Sequence, residues 1–518
     1  LPPVEIPRTR RDRWRRRLRS KRAITAYALT AAVIAAVIVV PAVALVPPSP
    51  CHGGLVAVPD GGQTDCVGLT DGSQVFDPRL AGVERLIHTE NDSVTASGKP
   101  WVAIAYLVPM TLNEGSAITL EGVHEELQGA YVAQWEANHT HAYGDLPMLK
   151  LYLVNEGPDQ GSWPTAVKQI LAATGDGRGV VAVAGLGDSV DATRAAATEM
   201  SDAQLAMFGT AITADNLNGT RYSSLVRVAP TNLDEVKAAL AFLPSLPSRG
   251  STAMLVADTN AADDYTRTWA TGVESLYPVG GRRFVWAPET FNRTLSAEGD
   301  RFVQISGVVC ERQPQVVFFA GRAKDLETFI GALGARGCGD PVTVISGDDD
   351  LIDSGTTTAA DYTAYLSALS TGNITLYSTA LAHPDEWKPA ICGPTPPSQL
   401  DAARTFAKFD KDYAYLLGRL ALPLSLGNAM LARDAVITAA MTIRGPVKQT
   451  TGVAQQPYRY QEVTQNLGGL HDTPIPGASG VITISNYGPS NGDPLGKPLA
   501  IVEHTPSGSV TCERVEIP

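Results

Sequence analysis

The chain has 518 residues, 44% hydrophobic and 18% charged, so a large core is within reach and disorder is not its overall class. The net charge is −12, but residues 1–22 hold ten Lys or Arg against Glu5 and Asp12, a local +8 that leaves about −20 for the rest. An acidic body argues against nucleic acid as a partner.

The basic segment 1–22 runs into Ala23–Val46, 24 residues without a charge, whose polar side chains are Thr25, Tyr27 and Thr30. About 20 apolar residues cross the hydrocarbon core, and Lys and Arg stay on the cytoplasmic side. The expectation is one transmembrane helix over 23–46, with 1–22 cytoplasmic and the body outside the cell membrane. A cleaved signal peptide is the competing reading. The run is long for a signal core, and no Ala-x-Ala site stands in Val46-Pro-Pro-Ser-Pro-Cys51. Pro41 is tolerated in a membrane helix. A cytoplasmic part upstream of Leu1 is a further expectation.

Six cysteines follow: Cys51, Cys66, Cys310, Cys338, Cys392 and Cys512. An even number outside the membrane reads as disulfides, with fifteen pairings open. Neighbour pairing is favoured: Cys51–Cys66, Cys310–Cys338 and Cys392–Cys512. No Cys-x-x-Cys or Cys/His cluster supports zinc.

Residues 47–97 are rich in Gly, Pro and Asp and read as a disulfide-tied preface. From Trp101 strands alternate with helices: strand Trp101–Val108, helix Glu121–Asn138, strand Leu149–Val154, helix Trp163–Ala173, strand Val180–Ala184, helix Asp191–Met200 and strand Leu205–Gly209. The rhythm resumes with strand Ser251–Ala257, helix Tyr265–Leu276, strand Val316–Phe319, helix Ala323–Ala335 and strand Val342–Ile345. Asp410–Arg444 is the longest helical stretch. Continuous apolar strands between helices predict α/β parallel sheets covered on both faces, and their number predicts two of them.

Ligands of such sheets sit beyond the carboxyl ends of the strands. The segments there are Gly185-Leu-Gly-Asp-Ser189, Gly209-Thr-Ala-Ile-Thr213, Asp264-Tyr265, Ala320-Gly-Arg322 and Ser346-Gly-Asp-Asp-Asp350. With Arg227-Val-Ala-Pro230, Phe318-Phe-Ala-Gly321, Tyr415-Leu-Leu-Gly418, Asp434-Ala435 and the strand from Gly480, this series resembles the type I periplasmic binding proteins. That is the fold of the leucine/isoleucine/valine-binding proteins and of related receptor ligand-binding regions. The resemblance covers about residues 98–510. It departs where Gly209-Thr210 replaces Ser-Pro. The Ala-rich, Lys-poor composition suits a bacterial source, actinobacterial in kind.

The resemblance implies two lobes joined by three crossings, with the ligand in the cleft between them: lobe one over 98–230 and 380–470, lobe two over 231–379 and 471–518. It also implies a site. A ligand carboxylate would meet Ser189, Thr213 and the free amides that open the Asp191 helix. The Ala211 carbonyl and Asp348 would meet an amine, Tyr265 would close one side, and Arg322 would meet an acidic tail or form an inter-lobe ion pair. Asp188 beside a carboxylate site repels, unless the ligand is neutral or cationic there.

Gly-Asp-Ser189 also matches a hydrolase of the GDS kind. Such a nucleophile follows the first strand and needs a base; Ser189 follows the third, and none of the eight histidines has an Asp three residues before it. Ser189 as a helix N-cap stays open. Asp348-Asp-Asp350 lacks the spacing of a calcium loop, and Gly185-x-Gly187 lacks a third glycine for a dinucleotide. The expectation is a membrane-anchored solute-binding protein, not an enzyme and without a cofactor. Its partners would be a small amino-acid-like ligand and an uptake permease of the ABC kind. The alternative is a sensing ectodomain whose signalling domain lies upstream.

Overall fold

The computed structural model describes residues 51–60, 63–113, 116–295, 298–349, 359–445, 459–471, 473–506 and 512–516. The span expected at 23–46 lies outside the described residues; among those described, no helix is long and apolar enough to cross a membrane.

Seven strands build the first sheet: β1 (Val56–Asp60), β2 (Gln63–Thr70), β3 (Trp101–Leu107), β4 (Met148–Asn155), β5 (Val180–Gly185), β6 (Ala206–Gly209) and β7 (Leu225–Arg227). Their spatial order is β1-β2-β4-β3-β5-β6-β7. Strands β4 to β7 run parallel to β3, and β1 and β2 form an antiparallel edge. The sequence-expected preface therefore belongs to lobe one from Val56 on. Val67 and Leu69 are buried on β2, and the Asn155 amide donates to the Cys66 carbonyl at 2.9 Å. Helices α1 (Ala81–Ala96), α2 (Leu120–His139), α3 (Trp163–Ala173) and α4 (Asp191–Asp202) cover this sheet.

The chain then crosses to α5 (Asn232–Phe242) and a second sheet of β8 (Thr252–Asp258), β9 (Arg283–Phe284), β10 (Glu289–Phe291), β11 (Val316–Ala320), β12 (Val342–Ser346) and β13 (Ile374–Ala380). Between them run α6 (Asp264–Leu276), α7 (Glu298–Arg312), α8 (Ala323–Gly334) and α9 (Ala359–Thr371). Strands β10-β8-β11-β12-β13 are parallel, and two late strands extend the sheet antiparallel, so both sheets are mixed rather than wholly parallel. The Cys310–Cys338 disulfide forms as expected, with 5.6 Å between Cα atoms. Cys51, Cys66 and Cys392 are also oxidised, and no described cysteine is free. The side chain of Cys512 lies outside the described residues.

The stretch expected as one helix over 410–444 is two, α10 (Leu400–Leu417) and α11 (Asn428–Arg444). Gly418 (φ 54°) and Gly427 (φ 74°) take left-handed backbone on either side of Pro423, which ends any continuous helix. Beyond α12 (Tyr460–Asn466), the hairpin β14 (Ile475–Gly477) and β15 (Gly480–Ile482) stays on lobe one, which corrects the expected boundary at 471. Asp434 of α11 anchors it by accepting from Ala478 N at 2.8 Å and Ser479 N at 2.9 Å. Only β16 (Pro498–His504) and β17 (Cys512–Glu516) return to lobe two.

The centre of lobe one is the contact between α2 and α11. Fifteen of the 20 residues of α2 and fifteen of the 17 of α11 are buried. The helices approach so closely at Gly129 that a Cβ there would lie 2.1 Å from the Ala429 carbonyl oxygen. This core also holds carboxyls. Burial pushes Glu84 up to about 7, and Glu125, Glu156 and Glu386 up to about 8.

Two outcomes are expected. Gly129→Ala should destabilise the chain by about 1–3 kcal/mol in urea titrations despite alanine's better helix propensity, because backbone cannot move aside as a side chain can. Each raised carboxyl takes up a proton on folding as pH passes between its unfolded value of 4.5 and its folded one. Stability from these groups is therefore complete at acid pH and falls as pH rises to 8, by about 1.4 kcal/mol per pH unit per group. Thermal melts should show a lower Tm at pH 8.5 than at pH 5.5, and Glu156→Gln should shrink that difference.

Candidate functional site

In both sheets the chain leaves the first parallel strand to one side and later returns on the other, so a crevice opens at the carboxyl ends of β3 and β5 and of β8 and β11. These crevices face each other. Between them lies a cavity of about 290 Å³, with an apolar wall of Ile118, Val123, Leu381, Leu426 and Val502. Charged and polar groups line it too: Glu126, Asp188, Arg322, Asp348, Asp349, His383 and His504. A second cavity of about 480 Å³ shares Ile118 and Asp188 with the first.

The turn after β5 is built from left-handed backbone at Gly185 (φ 94°), Leu186 (φ 81°) and Gly187 (φ 62°). A Cβ at Gly185 would meet the Leu107 carbonyl oxygen at 2.5 Å, so the Gly-Leu-Gly of the sequence is a packing requirement. It delivers Asp188 and Ser189 to the inter-lobe junction. There Ser189 is fully buried, and its Oγ accepts from Thr213 N at 3.0 Å and Ala214 N at 3.2 Å. Its carbonyl accepts from Asp264 N and Tyr265 N of lobe two at 3.0 and 3.1 Å. Val190 forms a β-bridge with Asp263, and Asp191 N donates to the Ala262 carbonyl at 2.9 Å. The lobes thus meet in a backbone seam. Three amides leading into α4 are taken: Ser189 N by Asp188 Oδ1 at 2.7 Å, Val190 N by the Asp188 carbonyl, and Asp191 N by lobe two.

Arg322 closes the junction beside the seam. It is 3% exposed and makes a bidentate pair with Asp263, at 2.7 and 2.8 Å. Its Nη1 lies 2.9 Å from Asp188 of lobe one and 2.9 Å from Asp349, and its guanidinium stands over the Tyr265 ring at 4.6 Å. Burial works against its charge, but the three aspartates outweigh that and hold the guanidinium protonated. Burial also pushes Asp349 up to about 7, with Arg322 opposing. Below lies a second acid pair. Glu235 Oε2 accepts from Asp348 N at 2.8 Å and from the Thr379 hydroxyl at 2.6 Å; burial first, and Asp348 second, raise Glu235 well above the carboxylate range.

Of the six residues the sequence nominates, Ala211, Asp348 and Arg322 line the inner cavity. Ser189 and Thr213 lie behind its wall at 0% and 1% exposure, and Tyr265, also buried, accepts a hydrogen bond from Asp349 N at 3.1 Å. Arg322 is the inter-lobe ion pair of its two expected roles. Glu126, Asp263 and Asp349 were not nominated. Glu126 lies in the second turn of α2, well past the end of β3 at Leu107, where position after a strand gives no signal. Its Oε1 accepts from Tyr106 at 2.7 Å and Thr210 at 2.6 Å, and burial raises its proton affinity.

Replacing Arg322 with Ala should cost about 3–5 kcal/mol, since Asp263 would stay buried without its counter-charge. Arg322→Lys should recover little, because one ammonium cannot serve three carboxylates in a forked geometry. Urea midpoints of the two variants check this.

No family model matches the chain, and no curated protein matches it either. Solved structures do. The leucine-binding protein LivK of Thermotoga maritima MSB8 is 18% identical, with 80% of this chain and 99% of that one covered and a TM-score of 0.56. The LivJ substrate-binding protein of Streptococcus pneumoniae, solved with isoleucine, is 17% identical over the same shares, also at 0.56. An ABC-transporter substrate-binding protein of Aeropyrum pernix is 13% identical over 81% and 97%, at 0.58. The fold of this chain is the two-lobed α/β fold of those binding proteins.

Proposed function

We infer that the protein is a solute-binding protein that holds a small polar ligand between its lobes, as the receptor of an ABC-type uptake system. The carrying observation is a polar-walled cavity at facing strand ends, crossed by an ion pair whose partners belong to opposite lobes. The likeness to substrate-binding proteins for amino acids supports the reading. Ala211 and Asp348 are its ligand contacts among the residues the sequence nominates, while Arg322 ties the lobes together beside them. The uncharged run 23–46 after ten basic residues supports a membrane tether with the body outside. The same tether favours a second use of the fold, a ligand-sensing ectodomain.

The test is thermal stabilisation of the full chain by a panel of amino acids, amines and small organic acids. A ligand at one hundred times its Kd stabilises by about 2.7 kcal/mol, a shift of several degrees in Tm. A panel that moves the Tm nowhere, in a protein that calorimetry also finds inert, rejects the reading.

A further inference from the structure

The position where an amino-acid ligand's carboxylate would sit is filled by the chain itself. Asp188 places its carboxylate on the Ser189 amide at 2.7 Å and on Arg322 at 2.9 Å, the two kinds of donor that a ligand carboxylate needs. Val190 N and Asp191 N donate to the Asp188 and Ala262 carbonyls. An incoming carboxylate would find the Ser189 amide and Arg322 already engaged, and Asp188 and Asp349 against it.

The opposite charge finds the reverse. Glu126 is 7% exposed and lines the cavity, and both its side-chain hydrogen bonds fall on Oε1. Its Oε2 has no protein partner among the described residues. Glu126 lines the same cavity as Asp349 and as Asp348, whose side chain is hydrogen-bonded to Glu235, while Arg322 is committed to three aspartates. The apolar side chains of Ile118, Val123, Leu381 and Leu426 line the same cavity and suit a hydrocarbon body.

We propose that the cleft selects an organic cation without a carboxylate, an amine or guanidinium on an apolar body, with its charged end between Glu126 of lobe one and Asp348 of lobe two. This rests on the solute-binding reading and narrows it: amines, not amino acids. Glu126 is the specificity-determining residue, and its unpaired oxygen is the anchor.

Matched pairs that differ only by the carboxylate give the test: 3-methylbutylamine against L-leucine, and agmatine against L-arginine, titrated calorimetrically into the full chain. The amine of at least one pair is expected to bind at least tenfold more tightly than its amino acid. Glu126→Gln keeps the acceptor for Tyr106 and Thr210 and changes the free oxygen to an amide. It should weaken the amine roughly 10- to 100-fold with little change in Tm. Asp348→Asn is a second probe of the same cation and should weaken it by a similar factor. An amino acid bound as tightly as its amine overturns the proposal and leaves the solute-binding reading standing. Amine binding that is indifferent to both variants overturns the assigned position. Failure of all four compounds, with the wider panel also inert, overturns the proposal and the function together.

Discussion

One guanidinium among three aspartates fixes how the two halves of this molecule meet. Arg322 follows β11, Asp263 follows β8 and Asp349 follows β12, all in lobe two, whereas Asp188 follows β5 in lobe one. Each strand end therefore contributes one charge to a shared point. A buried arginine tolerates no loss of partners, and buried aspartates tolerate no loss of the arginine. The position of each sheet's carboxyl edge is tied to the other's through this ion. The Ser189 carbonyl and the Val190–Asp263 bridge add backbone geometry to the same tie. Side chains could adjust their reach; the backbone bonds set the distance.

The architecture was legible because the core of each lobe is written in long apolar runs. Val180–Gly185 is buried at every position, and such a run between turn residues admits few readings. The Trp163–Ala173 helix was readable to the residue, since Trp163 follows a Gly-Ser turn and its apolar positions keep helical spacing. Short strands were not legible. Arg283–Phe284 and Glu289–Phe291 have too few residues for any period to show, and they exist because β8 offers them an edge. The early β1–β2 pair was hidden by its Gly and Asp content, and its register comes from β4.

The site was legible only in part, and the reason is physical. Position after a strand told which residues reach the cleft's neighbourhood, but not which polar atoms are already engaged there. Ser189 sits at the right strand end and spends its oxygens on Thr213, Ala214, Asp264 and Tyr265. Glu126, in a Glu-Glu pair of the kind that usually marks a solvated helix face, is instead surrounded by α2's buried neighbours and opens on the cavity. Asp188, which looked like a complication beside a carboxylate site, accepts from the Ser189 amide and pairs with Arg322.

The seam has a kinetic consequence. On the proposed solute-binding reading, with a cleft that opens by parting Ser189, Val190 and Asp191 from Ala262, Asp263, Asp264 and Tyr265, a solute would enter and leave through that parted state. Capture and release then both carry the opening equilibrium as a factor. At high solute concentration the rate of capture levels off at the rate of opening, whatever the solute. On that reading chemical preference would reside in the cavity wall, and residence time in a strip of main chain behind it.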